Sequence, residues 1–120
     1  MKEYSVSHST APPISVKVVY DPSADELMTD WLSKRVQKAI ELVVAAAART
    51  GVAVKDISVF GTDYYDNSYR QIFIWINVDA PDDEAYDYWG IVARPVHGLN
   101  QPPPAGAENA DVRLEVSVSW

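Results

Sequence analysis

The sequence predicts a single-domain α+β fold in which the elements follow the order β-α-β-β-α-β. Its 120 residues are the size of one domain. A central strand is predicted from Tyr69 to Asp79, because isoleucines alternate onto one face while Phe73 and Trp75 fall on the other. Helical periodicity before and after this strand supplies the two helices of the pattern.

The first strand is predicted over residues 14–20, where apolar residues alternate with polar ones. Residues 1–13 are predicted to form an N-terminal tail or a short strand, which Pro12 and Pro13 would end. We expect residues 14–120 to form the single α+β domain, since no linker or internal repeat divides them.

One long helix is predicted between the first two strands. Ser23 and Glu26 fit a capping box at its start, and Gly51 suits its end. Apolar residues then recur every three or four positions, which is typical of a helix with one buried face. The positions of this stripe are Leu32, Val36, Ala39, Val43 and Ala47.

The second strand is predicted over residues 52–62, with a shift in its alternation near Lys55 and Asp56. The connection over residues 61–68 is rich in Gly, Asp and Asn, which favour turns. It leads into the central strand, so these two strands form a hairpin.

The second helix is predicted over residues 82–94. Pro81 and a carboxylate-rich first turn favour a helix start there, and Pro95 favours its end. Gly90 disfavours a helix, so a rival interpretation remains. In that alternative, the fold is a mostly antiparallel sheet with residues 86–94 as an extra strand.

The last strand is predicted over residues 112–120, with Trp120 among its core-facing residues. A long Pro/Gly-rich connection over residues 95–110 precedes it. The resulting order is that of the split βαβ, or ferredoxin-like, arrangement, which many unrelated functions use.

The composition excludes several classes of function. Without cysteine, the chain has no disulfide, no thiolate metal site and no cysteine nucleophile. No apolar run reaches the ~20 residues of a membrane span, and no signal peptide is recognisable, so we expect a cytoplasmic protein that does not bind membranes. No motif indicates a cofactor or a metal site, and none is predicted.

The net charge of −7 is unevenly distributed. Residues 1–55 carry a balance of +1, and residues 56–120 carry a balance of −8. This acidity disfavours direct binding to nucleic acid, which rewards clustered Lys and Arg. It suits a basic protein partner, a cation or plain solubility.

The leading functional interpretation is a non-enzymatic interaction module of the inhibitor, immunity or regulatory type. Carboxylates would steer a basic partner, and the aromatic side chain among them would supply contact area. The predicted partner-binding residues are Asp82, Asp83, Glu84, Tyr86 and Asp87.

The alternative interpretation is a domain that binds a small ligand or a cation, with or without enzymatic activity. Its site would lie where the loops 21–25, 61–68 and 95–110 meet at one end of the sheet. The candidate residues are Asp63, Tyr64, Tyr65, Asp66 and His97.

The outer face of the predicted sheet carries Phe60, Phe73 and Trp75. Sheets that bind nucleic acid expose aromatics in this way, but with basic residues beside them, which are missing here. The pattern therefore predicts a homodimer face, or a face covered by the N-terminal segment or the Pro-rich connection.

Overall fold

The computed structural model describes residues 2–8, 11–62 and 70–120, and the side chains of residues 16–62 and 70–120. The described elements are five strands and three helices. The strands are β1 (Lys2–His8), β2 (Ala11–Tyr20), β3 (Ala53–Thr62), β4 (Gln71–Asp79) and β5 (Arg113–Ser119). The helices are α1 (Pro22–Leu27), α2 (Asp30–Thr50) and α3 (Asp82–His97). The α+β class predicted from the sequence is confirmed.

The strands form one mixed sheet in the order β1-β2-β3-β4-β5. β1–β2 and β3–β4 pair antiparallel, whereas β2–β3 and β4–β5 pair parallel. The ferredoxin-like prediction is therefore wrong in its strand order, because the two parallel strands of each βαβ unit are direct neighbours and no strand splits them. Alternating apolar patterns mark strands but carry no information on which strands become neighbours.

The N-terminal segment adds the strand β1, which pairs with β2 from Lys2 to His8. Pro12 and Pro13 do not separate the two predicted segments as expected, because β2 already begins at Ala11 and includes both prolines.

The predicted long helix is two helices. Asp21 caps α1 by accepting a hydrogen bond from the Ser23 amide, so the predicted capping box is displaced. The break follows because Met28 is extended and the Thr29 hydroxyl caps α2 by accepting from the Leu32 amide. Such an N-cap offers the chain a second helix start. Gly51 ends α2 in the left-handed conformation at φ 78°, as its sequence position indicated.

The helical prediction for residues 82–94 is confirmed by α3, and the alternative extra strand over residues 86–94 is wrong. Pro95 does not end the helix as predicted, because α3 continues through it to His97. Ala85, Tyr88 and Val92 form its buried stripe. The Tyr88 hydroxyl donates a 2.7 Å hydrogen bond to the Val43 carbonyl, which ties α3 to α2. Burial raises the pKa of Tyr88, so the hydroxyl stays protonated as this bond requires.

The core lies between one face of the sheet and the helices. The inward isoleucines of β4 are fully buried, and the predicted shift in β3 appears as a register irregularity between Val54 and Asp56. Trp120 departs from prediction, because it follows the last paired residues of β5 and is 47% exposed. Across the described part of the chain, no helix has the length and apolar character that a membrane crossing requires.

Candidate functional site

The first turns of α3 carry an acidic–aromatic surface, defined here as Asp82, Asp83, Glu84, Tyr86 and Asp87. All five residues are exposed, and the Tyr86 side chain is the most exposed large hydrophobic residue described, at 69%. These are the residues that the sequence predicted for partner binding, and they lie within the first two turns of α3.

The charge of this surface is negative without local compensation. Residues 71–93 contain no Lys or Arg, and Asp79 adds a further exposed carboxylate just before α3. Within residues 16–62 and 70–120, no ion pair involves a carboxylate of the acidic–aromatic surface. The positive end of the helix dipole stabilises acidic residues in a first turn, which explains why some of these acids occur here. Their negative charges still face solvent.

A groove of about 320 Å³ runs between α3 and the end of α2. Glu84 and Asp87 line it from α3, and Thr50 and Val52 line it from the opposite side. Ile91, which is 41% exposed, and Tyr88 complete the lining. The groove therefore combines two carboxylate-bearing residues with apolar walls, a combination that suits the aliphatic stem and cationic head of a Lys or Arg side chain.

Three aromatic residues lie on the other side of α3, next to β5. The Trp120 indole Nε1 donates a 2.8 Å hydrogen bond to Asp82 Oδ1. Its ring meets Trp89 edge to face, with centroids 6.5 Å apart. Tyr86 and Trp89 line a second, shallow groove of about 300 Å³. Aromatic area thus lies beside the acidic first turn on the β5 side of the helix.

The alternative ligand site lies largely outside the described residues, since Asp63, Tyr64, Tyr65 and Asp66 fall there. His97 is exposed at the end of α3. It lines a groove of about 450 Å³ together with Arg94 and residues of β5. In the described ranges, no group of three or more His, Asp or Glu side chains could hold a metal ion.

The predicted dimer face forms one aromatic cluster on the sheet face opposite the helices. Phe60 stacks on Phe73 with centroids 5.3 Å apart, and Trp75 tilts against Phe60 at 6.0 Å. A polar ladder borders the cluster, in which the Ser119 hydroxyl accepts from Trp75 Nε1 and donates to Asn77. Trp75 is 38% exposed.

Sequence reasoning missed the groove residues Thr50, Val52 and Ile91 and the position of Trp120. Val52 and Ile91 resemble ordinary core residues in the sequence, and only the packing of α3 beside the end of α2 places them around a groove. In the sequence, Trp120 continues the alternation of the last strand, and this pattern predicts core packing and not the exposed position that is observed.

No protein-family model and no curated protein matches the chain. A crystal structure of an OsmC-like protein from Mycoplasma pneumoniae is similar to it at 10% sequence identity and a TM-score of 0.47. That similarity covers 98% of this chain and 87% of the other. A likeness of this degree supports no conclusion about topology or function.

Proposed function

We propose that this chain is a non-enzymatic interaction module whose acidic–aromatic surface binds a basic protein partner. A cytoplasmic site of action, and an inhibitory, immunity or regulatory role, belong to the same proposal. The observation that carries it is the groove beside Glu84 and Asp87, where carboxylate-bearing residues meet apolar walls, while the exposed Tyr86 lies on the other side of α3.

The size of the groove favours a single side chain over a larger ligand. Pockets for small molecules and cofactors are about 300–1,000 Å³. The groove at about 320 Å³ is at the small end of that range and open to solvent. A Lys or Arg side chain from a partner would place its stem against Val52 and Ile91 and its charge beside Glu84 and Asp87.

The aromatic residue supplies the second half of the contact. Tyrosines are common anchors at interfaces because they bury a large area at the cost of few rotatable bonds. Tyr86 is 69% exposed, and in the sequence Asp82 lies four residues before it and Asp87 directly after it. The carboxylates are expected to speed the encounter, whereas Tyr86 is expected to prolong the complex.

Site-specific photo-crosslinking in native lysate tests the proposal. A photoreactive benzoylphenylalanine replaces Tyr86, and a matched control carries it at Lys34, an exposed position in α2. We expect a basic protein to be captured from Tyr86 and not from Lys34. Equal capture from both positions, or capture of acidic proteins only, would refute the proposed surface.

Stopped-flow binding of the captured protein then separates the two roles. Glu84→Gln with Asp87→Asn is expected to slow association and to reduce its salt dependence, whereas Tyr86→Ala is expected to raise the dissociation rate. Asp25→Asn with Glu26→Gln removes the same formal charge from α1 and serves as the control. If both double variants slow association equally, the net charge of the protein, and not this surface, guides the encounter.

A further inference from the structure

The strand β5 is the last strand of the sheet, and its outer edge has an alternating pattern of available backbone groups. The Arg113 amide donates to the Arg70 carbonyl on the β4 side, at 2.9 Å. Because successive residues of a strand direct their amides to opposite sides, Leu114, Val116 and Val118 direct theirs to the outer edge.

One of these three positions is already occupied. The side-chain amide of Asn100 donates to the Leu114 carbonyl at 3.0 Å and accepts from the Leu114 amide at 2.8 Å. The Asn100 side chain therefore makes the two hydrogen bonds that a neighbouring strand would make at this position. In the described part of the chain, the edge groups of Val116 and Val118 have no such cover, and open edges are sites for strand addition.

A groove of about 450 Å³ lies beside this edge, between α3 and β5. Trp89, Ala93, Arg94 and His97 line it from the helix, and Leu114, Glu115 and Val116 line it from the strand. At the other end of the same edge, the exposed Trp120 donates a hydrogen bond from its indole nitrogen to the Asp82 carboxylate. The edge therefore has a groove lined by both Arg94 and Glu115 at one end and an aromatic ring with an anion at the other.

We propose that a second copy of this chain pairs with this edge, with the two β5 strands antiparallel about a two-fold axis at Ser117. In that register, Val116 of one copy lies opposite Val118 of the other, and each such pair can exchange both backbone hydrogen bonds. The register uses the two uncovered positions, and at Leu114 the end of the second copy's strand would take the place of the Asn100 side chain.

The same register fixes which side chains meet. Leu114 lies opposite Trp120 of the second copy, so that indole reaches the mouth of the groove beside Trp89. The Asp82 carboxylate accompanies it and approaches Arg94. The match is self-complementary, because α3 carries acids in its first turn and Arg94 in its last, and a two-fold axis places one end against the other.

This surface is separate from the groove proposed for the basic partner. Glu84 and Asp87 face Thr50 and Val52 on the α2 side of α3, away from β5. It is also separate from the aromatic cluster of Phe60, Phe73 and Trp75 on the outer sheet face. A dimer through β5 would therefore leave that groove and that cluster exposed, while using Asp82 of the acidic–aromatic surface.

Sedimentation velocity over a concentration series tests the β5 dimer with a charge exchange. Asp82→Arg and Arg94→Asp should each weaken dimerisation by about tenfold, because each places like charges together. The double variant D82R/R94D should restore wild-type dimerisation, and circular dichroism should show all three variants folded. Trp75→Glu, on the outer sheet face, should leave the dimer intact.

A second variant tests the backbone pairing itself. Val116→Pro removes an edge amide that donates to no neighbour within the described residues, and it should give a monomer. If this variant does not fold, the charge exchange still decides the question. The proposal is overturned by a wild type that stays monomeric at all concentrations, by a double variant that remains as weak as the single ones, or by Trp75→Glu abolishing the dimer.

Discussion

Gly61 in β3 and Ser23 in α1 are in direct contact: the Gly61 amide donates a 2.9 Å hydrogen bond to Ser23 Oγ. A Cβ on Gly61 would lie 2.5 Å from the Ser23 carbonyl oxygen and 2.8 Å from Leu27 Cδ1. The missing side chain is what allows α1 to approach the end of β3. Ser23 also donates to Asp21 Oδ2, so the three residues join the sheet end to the helix cap.

Gly61→Ala is therefore expected to destabilise the fold by about 1–3 kcal/mol, as overpacking against backbone does. Gly90→Ala is the matched control, because no atom outside its own stretch of helix backbone lies within 4 Å of its Cβ position. It sits inside α3, where alanine is favoured over glycine by about 1 kcal/mol, so this variant should be stabilised. Urea unfolding measures both. A neutral Gly61→Ala would show that α1 does not pack this closely.

Ile74→Ala tests the core. Ile74 is fully buried at the middle of β4, between Val59 of β3 and Val116 of β5. Removing three methyl or methylene groups there should lower the unfolding free energy by about 2–5 kcal/mol. A loss below about 1 kcal/mol in denaturant unfolding would mean that Ile74 is not in the core and that the register of β4 is wrong.

Asp111 should make stability depend on acid pH. Arg70 donates to both Asp111 carboxylate oxygens, at 2.7 and 2.9 Å, and this lowers the pKa of Asp111 to about 2. A depressed folded-state pKa stabilises the protein above the unfolded-state pKa, and the stabilisation is lost as the pH falls from about 4 to about 2. Asp111→Asn and Arg70→Gln should each flatten this part of the stability profile. An unchanged profile in either variant would contradict the pairing.

Local patterns in the sequence were sufficient for much of the fold. The alternation of Ile72 to Val78, the helical stripe of Ala85, Tyr88 and Val92, and Gly51 each act within a few residues of the chain, so their periodicity is visible without tertiary information. The position of β2 beside β3 depends on long-range packing that no local pattern encodes. The same holds for the groove of Thr50 and Val52 with Glu84.

The break between α1 and α2 shows a different limit. Thr29 and Asp30 fit a helix start as well as Ser23 and Glu26 do, and the apolar stripe is compatible with one helix or two. Tertiary contacts decide, since α1 packs on Gly61 and the Asn109 side chain donates to the Leu27 carbonyl at the break. The acidic cluster of α3 was predictable because charges can be read directly from the sequence. The apolar residues of the groove beside it were not, because they depend on how α3 packs beside α2.

The central claim is that the groove beside Glu84 and Asp87 accepts a basic side chain, and an NMR titration with capped arginine amide tests it most directly. Backbone amides of Thr50, Val52, Glu84, Asp87 and Ile91 should shift saturably, whereas capped citrulline amide, which has a similar shape without the charge, should leave them unchanged. Glu84→Gln with Asp87→Asn should abolish the response, and Asp25→Asn with Glu26→Gln should retain it. Equal shifts with arginine and citrulline, or shifts spread over every acidic segment including Asp25 and Glu26, would contradict the account.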